Sequence, residues 1–356
     1  MKRRFLGTTG IQTSTIGMGC WAFGGGDYWG EQDQASVNEL VGSALDLGIN
    51  YFDTAEMYNN GASETALGIA LAGRRDEAII GSKISPSNCQ PESIRAHLDA
   101  SLERLETDYI DVYMLHWPIE PHSIEHFTKD EASINNPPTV EDAFATLNDL
   151  QQDGKICHVA VSNHGVEQMQ AVLATGITIV ANEIAYNLFS RAIEAEIMPF
   201  TRENGISIIG TMALQQGILS GAFDRIEDIP PPQAHSRHFK QERGWDEITQ
   251  TNYSRHDEEG CEQEMLDALV SMKGIAEQEG VTVAQLSLAW VMANPAVACT
   301  LVGSRTMAEL QENVKAADYE MPASVYCELN EISQPIWDKL GNNPDYYESR
   351  ANTRIH

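Results

Sequence analysis

The sequence predicts an α/β protein whose eight parallel strands close into a (β/α)8 TIM barrel, with an N-terminal β-hairpin and long loops at the C-terminal face. Three observations predict it. Short runs rich in β-branched and aromatic residues alternate with stretches of helical period along most of the chain. Each short run is largely apolar, as a strand covered on both faces must be. The 356 residues, 42% of them hydrophobic, suffice for one large barrel, taken here as a single domain over 1–356.

Residues 3–14 alternate loosely around Gly7 and Gly10, which suits a short hairpin. Strands are expected at 14–20, 49–53, 78–83, 109–116, 156–162, 177–183, 206–211 and 297–302. Helices are expected at 34–47, 63–71, 91–105, 140–152, 166–174, 191–203, 263–279 and 283–293, with Ser63 and Thr282 as start signals. Two stretches break the rhythm. Residues 118–138 carry Pro118, Pro121, Pro137 and Pro138, and residues 222–262 carry Pro230, Pro231, Pro232, His235, His238 and His256. Both follow strands, which assigns them to the face where barrel enzymes place their sites. The tail 335–356 reads as polar and irregular.

Lys plus Arg number 23 and Asp plus Glu 52, giving a formal net charge of −29. So acidic a surface repels phosphate backbones and anionic lipids, which argues against nucleic acid and membrane as partners. No apolar run approaches the ~18 residues of a membrane span, and MKRRFLGTTG is not followed by an apolar signal core. The six cysteines lie far apart without a CxxC pair, so they read as reduced thiols. A cytoplasmic protein acting on a small molecule is expected.

The informative residues are polar ones where strands end: Asp53 in YFDTAEMY, Lys83 in IIGSK and His116 in YMLHWP. Each alone has an ordinary use, as a helix cap, a solvated loop residue or a core histidine. On three successive strands of a closed barrel they converge on one mouth, with Tyr58 five residues past Asp53. A carboxylate keeps a buried ammonium charged, and the ammonium is expected to lower the phenol pKa toward the working range. The imidazole positions an oxygen by hydrogen bonding. Such a set exchanges a proton with an oxygen whose carbon exchanges a hydride.

DTAEMY, GSK and LHWP, together with VSN at 161–163 and GSRTMAELQEN at 303–313, resemble the aldo-keto reductases over nearly the whole chain. The resemblance implies a nicotinamide cofactor, NADP or NAD, extended across the strand ends. It implies Tyr58 as general acid, Lys83 as its partner, Asp53 as the partner of Lys83, and His116 as the substrate-orienting group. Ser162 and Asn163 match the pair that binds the carboxamide. Gly303, Ser304 and Arg305 precede a helix whose N-terminus suits a phosphate, and Glu312 and Asn313 match adenine contacts. The loop QQGILSG, with Gly217, Leu219 and the preceding Leu214, resembles the cover of the pyrophosphate, and Trp21 lines the mouth. No GxGxxG stands between a strand and a helix, which excludes a Rossmann domain.

Three positions depart from the family. Glu183 stands where Gln is usual, Thr211 and Met212 replace a stacking aromatic, and Glu309 stands where NADP-dependent relatives carry Arg or Gln. A carboxylate at 309 repels a 2′-phosphate and accepts from a ribose hydroxyl, so a preference for NAD is expected. The leading reading is an NAD(P)-dependent oxidoreductase acting on a carbonyl or alcohol of a small polar, sugar-like substrate. Arg225, Arg237, Lys240 and Arg243 make the 222–262 loop a basic candidate for substrate contact. Alternatives are a redox-neutral isomerase, epimerase or lyase that retains its nicotinamide, and a redox-sensing regulatory subunit. No metal ligand is assigned: the resemblance implies a metal-free mechanism, and His235, His238 and His256 read as structural or substrate-contacting.

Overall fold

The computed structural model describes residues 1–26 and 29–356. The chain opens with an antiparallel hairpin of β1 (Arg3–Phe5) and β2 (Gln12–Ser14). Seven strands follow in parallel: β3 (Ile16–Gly19), β4 (Tyr51–Asp53), β5 (Ile79–Ile84), β6 (Ile110–Leu115), β7 (Ile156–Ser162), β8 (Ile179–Ala185) and β9 (Ser207–Thr211). A small hairpin, β10 (Trp245–Asp246) with β11 (Thr251–Asn252), lies in the 222–262 loop. β12 (Val297–Gly303) then pairs with β9 on one side and β3 on the other, closing the eight-stranded barrel that the rhythm predicts.

Crossovers run through α1 (Gln34–Asp46), α2 (Ala62–Ala70) and α3 (Pro91–Arg104). The 118–138 loop holds two short helices, α4 (Pro121–Ile124) and α5 (Glu131–Asn135). After them come α6 (Val140–Gln152), α7 (Val166–Ala174), α8 (Ile197–Glu203), α9 (Glu262–Glu279), α10 (Val283–Ala293), α11 (Met307–Lys315) and α12 (Ala323–Leu340). Inside the barrel, Tyr51, Val112, Met114, Ile209, Cys299 and Leu301 pack together, and Leu6 from the hairpin side joins them. A second core fills the layer between strands and helices; each fully buried Leu, Ile or Phe there contributes about 1.5–3 kcal/mol. No helix among the described residues is long and apolar enough to cross a membrane.

Thr282 caps α10 as expected, accepting from the Gln285 amide in a reciprocal capping box. Ser63 does not cap α2. The helix begins one residue earlier, after Gly61 at φ 87°, and the Ser63 hydroxyl donates to the Cys20 carbonyl at 2.7 Å beneath the mouth. The helix expected over 191–203 is split into a turn at Ala192–Glu194 and the shorter α8. Pro199 explains this, since its ring opposes the carbonyl four residues back and it has no N–H.

The polar tail starts later than expected. α12 continues through Pro335 to Leu340 because Val325, Leu329, Ile336 and Leu340 form one buried face. That packing outweighs the roughly 3 kcal/mol a mid-helix proline costs. Beyond Leu340 the tail is tied down: Arg354, 1% exposed, pairs with Asp345, also fully buried, at 2.8 Å. The 222–262 loop is not a free basic patch. Arg237 pairs with Glu258, Arg243 with Glu227 and Glu262, and Arg225 with Glu227, so acidic neighbours neutralise the three arginines singled out there, while Lys240 stays exposed.

Candidate active site

The strand ends deliver Asp53, Lys83 and His116 to one mouth, as the alternation predicts. Lys83 is fully buried, and its ammonium donates to Asp53 Oδ1 at 2.5 Å, to the Thr54 carbonyl at 2.9 Å and to the Tyr58 hydroxyl at 3.3 Å. Tyr58 begins the short turn Tyr58–Gly61 and stays half-exposed, so it is the member of the set that faces solvent. Its ring lies 5.7 Å from that of His116 and 6.0 Å from that of Trp21, which lines the mouth beside Trp29.

The segment that presents Tyr58 is braced by a residue the sequence reading passed over. Glu56, within DTAEMY, accepts from the Ser85 amide and the Asn88 side chain, and its other oxygen meets His97 Nδ1 at 2.6 Å. Its position in the motif was visible, but its partners come from a different βα loop and from α3. Behind Lys83, Ser82 donates to buried Glu64, which Arg104 neutralises at 2.7 Å.

Glu183 enters the same cluster. It is 2% exposed and its Oε1 lies 3.3 Å from the Lys83 ammonium. Its Oε2 is buried and meets no hydrogen-bond partner among the described residues. Burial, then the Asp53 charge, pushes the Glu183 carboxyl well up against the pull of Lys83. Burial raises the Asp53 carboxyl as well, against the pull of the nearer Lys83, so two interacting carboxyls titrate as a pair around one ammonium.

The expected lowering of the phenol pKa is not what this environment produces. Burial raises Tyr58 above its ordinary value, and the Lys83 charge only partly offsets this; Asp53 and Glu183 add to the rise. The phenol therefore holds its proton firmly. Lys83 is held charged: burial opposes the ammonium, but Asp53, Glu183 and Tyr58 outweigh it. Burial, followed by the Lys83 charge, lowers His116 well below the usual histidine range, so its imidazole is neutral. His116 Nδ1 is buried with no hydrogen-bond partner among the described residues.

The other singled-out residues lie around the rim. Ser162 donates to the Glu183 carbonyl at 2.9 Å, and Asn163, at φ 58°, donates to the His116 carbonyl at 3.1 Å. Thr211 ends β9 and Met212 follows it, both half-buried, with the Met212 carbonyl accepting from Asn187. Leu219 is buried in the core and Leu214 half-buried, while Gly217, with φ 96° and open space beside it, leaves the backbone accessible to a ligand. Gly303 pairs in register with Gly19, leaving a side-chain-free notch where β3 and β12 end.

From the last turn of α11, buried Asn313 donates back to Ser304 at 3.1 Å. Glu309 turns back to accept from the amides of Arg305 at 2.7 Å and Thr306 at 3.3 Å. Arg305 reaches the Glu31 carbonyl, and Glu312 accepts from Thr282 at 2.6 Å. His238 is hydrogen-bonded to Phe189 and Ser236 and pushed down by burial to about 3, while His235 stacks on Tyr347. Both histidines serve packing between the 222–262 loop and its neighbours.

The profile described as the Aldo/keto reductase family matches residues 15–334. A relative from Escherichia coli K12, an NADH-specific methylglyoxal reductase, is 29% identical over 94% of this chain and 99% of its own length. One from Arabidopsis thaliana, described as a "Probable voltage-gated potassium channel subunit beta", is 28% identical over 95% of this chain and 98% of its own. The fold is shared with an aldo/keto reductase from Klebsiella pneumoniae solved with NADP and acetate. That structure gives a TM-score of 0.67 at 24% identity, covering 94% of this chain and 96% of the other.

Proposed function

This chain belongs to the aldo/keto reductase family and is an NAD(P)-dependent oxidoreductase; from that premise we propose that it reduces the carbonyl of a small polar substrate, with Tyr58 as proton donor. The observation that carries the reading is the half-exposed phenol bonded at 3.3 Å to a buried ammonium that two carboxyls hold charged. The phenol gives its proton to the carbonyl oxygen as that oxygen gains charge, and the adjacent ammonium stabilises the tyrosinate left behind. Neutral His116 donates a hydrogen bond to the same oxygen and fixes its orientation. In the oxidative direction the tyrosinate takes the proton back.

The rim residues fit a nicotinamide cofactor. The notch at Gly19 and Gly303 and the open space at Gly217 admit a close backbone approach, and Ser162, Asn163 and Glu183 offer donors and acceptors to a carboxamide. When bound, the cofactor supplies or accepts the hydride. Glu309 supports a preference for NAD, because its carboxylate occupies the two amides at the head of α11 that a 2′-phosphate would need. The NADH specificity of the Escherichia coli relative agrees with this.

The test is purified protein with NADH or NADPH and either methylglyoxal or a short sugar aldehyde. Carbonyl-dependent loss of reduced-cofactor absorbance is expected, larger with NADH. No cofactor oxidation with any carbonyl would overturn the oxidoreductase reading. Turnover of a sugar on a retained cofactor, with none added, would replace it with redox-neutral chemistry. NADP binding tighter than NAD by about tenfold or more would remove the cofactor preference.

A further inference from the structure

Away from the catalytic set, the 118–138 loop meets the C-terminal tail at the barrel rim. His122 in α4 and His126 just beyond it are four residues apart on continuing turns, so their rings project to one side. The tail brings Glu348 against them, 3% exposed. One ring nitrogen from each histidine and one Glu348 oxygen all lie within 4.8 Å of one another.

Two features of this cluster call for a cation. His126 Nε2 and Glu348 Oε1 are 3.2 Å apart and both atoms are buried, yet no hydrogen bond joins them or any described neighbour to them. Nitrogen and oxygen ligands about 2.0–2.1 Å from a tetrahedral zinc ion lie roughly 3.3 Å from each other. The second feature is at His122. Its Nδ1 meets Glu125 Oε1 at 2.6 Å, while its Nε2 faces the Asn352 carbonyl at 2.9 Å. If Nδ1–H donates to the carboxylate, the neutral ring turns a lone pair toward a carbonyl lone pair. A carboxylate on one histidine nitrogen with an acceptor-lined space at the other is how metal-binding imidazoles are oriented.

We propose that His122, His126 and Glu348 form a divalent-metal site that clasps the C-terminal tail to the 118–138 loop. Two imidazoles and one carboxylate select zinc over magnesium or calcium, which take oxygen ligands. The site is separate from the proton-transfer set but mechanically close to it. Phe127, next to His126, packs 6.0 Å from the His116 ring, and Arg354 of the same tail lies over Trp117 at 3.7 Å. Ordering the tail therefore orders the wall beside His116.

The experiment is zinc titration by calorimetry on untagged, chelator-treated protein, with melting temperature and zinc-edge X-ray absorption on the loaded protein. One zinc per chain, a raised melting temperature and a nitrogen/oxygen shell containing two imidazoles are expected. His126→Ala and Glu348→Gln should each weaken zinc binding by more than about 100-fold, beyond what loss of an outer-shell partner costs. The more exposed His122→Ala variant tests the same ligand set should those two variants fold poorly. Absence of stoichiometric zinc binding in the folded wild type would overturn the site. So would zinc binding that all three substitutions leave unchanged, and the histidines would then only pack against Glu125 and Glu348.

Discussion

Lys83 at the barrel mouth and Arg354 in the tail are both buried cations, yet their surroundings are opposite. Arg354 meets one carboxylate, Asp345, through two parallel hydrogen bonds of 2.8 Å, and Asp345 also accepts from the amides of Tyr347 and Glu348. Charge is matched one to one and the fork is filled. Lys83 serves two carboxyls, a backbone carbonyl and a phenol. That leaves two carboxyls around one cation, and Tyr58 open to a ligand. A matched and saturated pair holds a segment in place, whereas a mismatched set with one accessible member moves protons.

The contrast breaks most visibly at Lys83. Lys83→Met removes the cation that stabilises tyrosinate, and turnover should fall by about 100- to 10,000-fold. Steady-state kinetics on variant protein with a wild-type circular dichroism spectrum checks this. Asp345→Ala strikes the matched pair instead. It strands the Arg354 charge and should destabilise the fold by about 3–5 kcal/mol in urea unfolding.

The sign with pH is specific. Arg354 holds the Asp345 carboxyl below its ordinary value against the cost of burial. The pair's stabilisation is therefore full above the unfolded carboxylate pKa and lost as pH falls through the native one. The gap between wild type and Asp345→Ala should narrow on acidification.

The smallest effect sharpens the comparison. Glu183→Gln makes the Lys83 site a one-to-one pair without changing its shape. Turnover should change by less than about tenfold. The infrared carbonyl stretch of a protonated carboxyl, expected in the wild type because burial raises Glu183, should vanish in the variant; its persistence would show that Glu183 does not hold a proton.

Much of the mouth was legible because Asp53, Lys83 and His116 close otherwise apolar strands, and a charged residue in such a place must answer to something. Glu183 stood out as a position, but not as a partner of Lys83. That contact joins β5 and β8 across the barrel and exists only once the sheet has closed. The direction of the Tyr58 shift was misread because sequence reveals the nearby ammonium and conceals how much burial opposes it. Arg237 and Arg243 looked like free cations because their acidic partners lie elsewhere in the same loop or in α9. The tail was illegible for a similar reason. Pro335 disguised α12, and nothing local tells that Asp345 and Arg354 meet under Trp117.

The account rests on the phenol of Tyr58 being the group that gives up the proton, and Tyr58→Phe tests it most directly when turnover and cofactor binding are measured on the same preparation. The expected result is a drop in turnover of about 100- to 10,000-fold with the dissociation constant for the nicotinamide nucleotide unchanged. Turnover equal to that of the wild type would contradict the assignment.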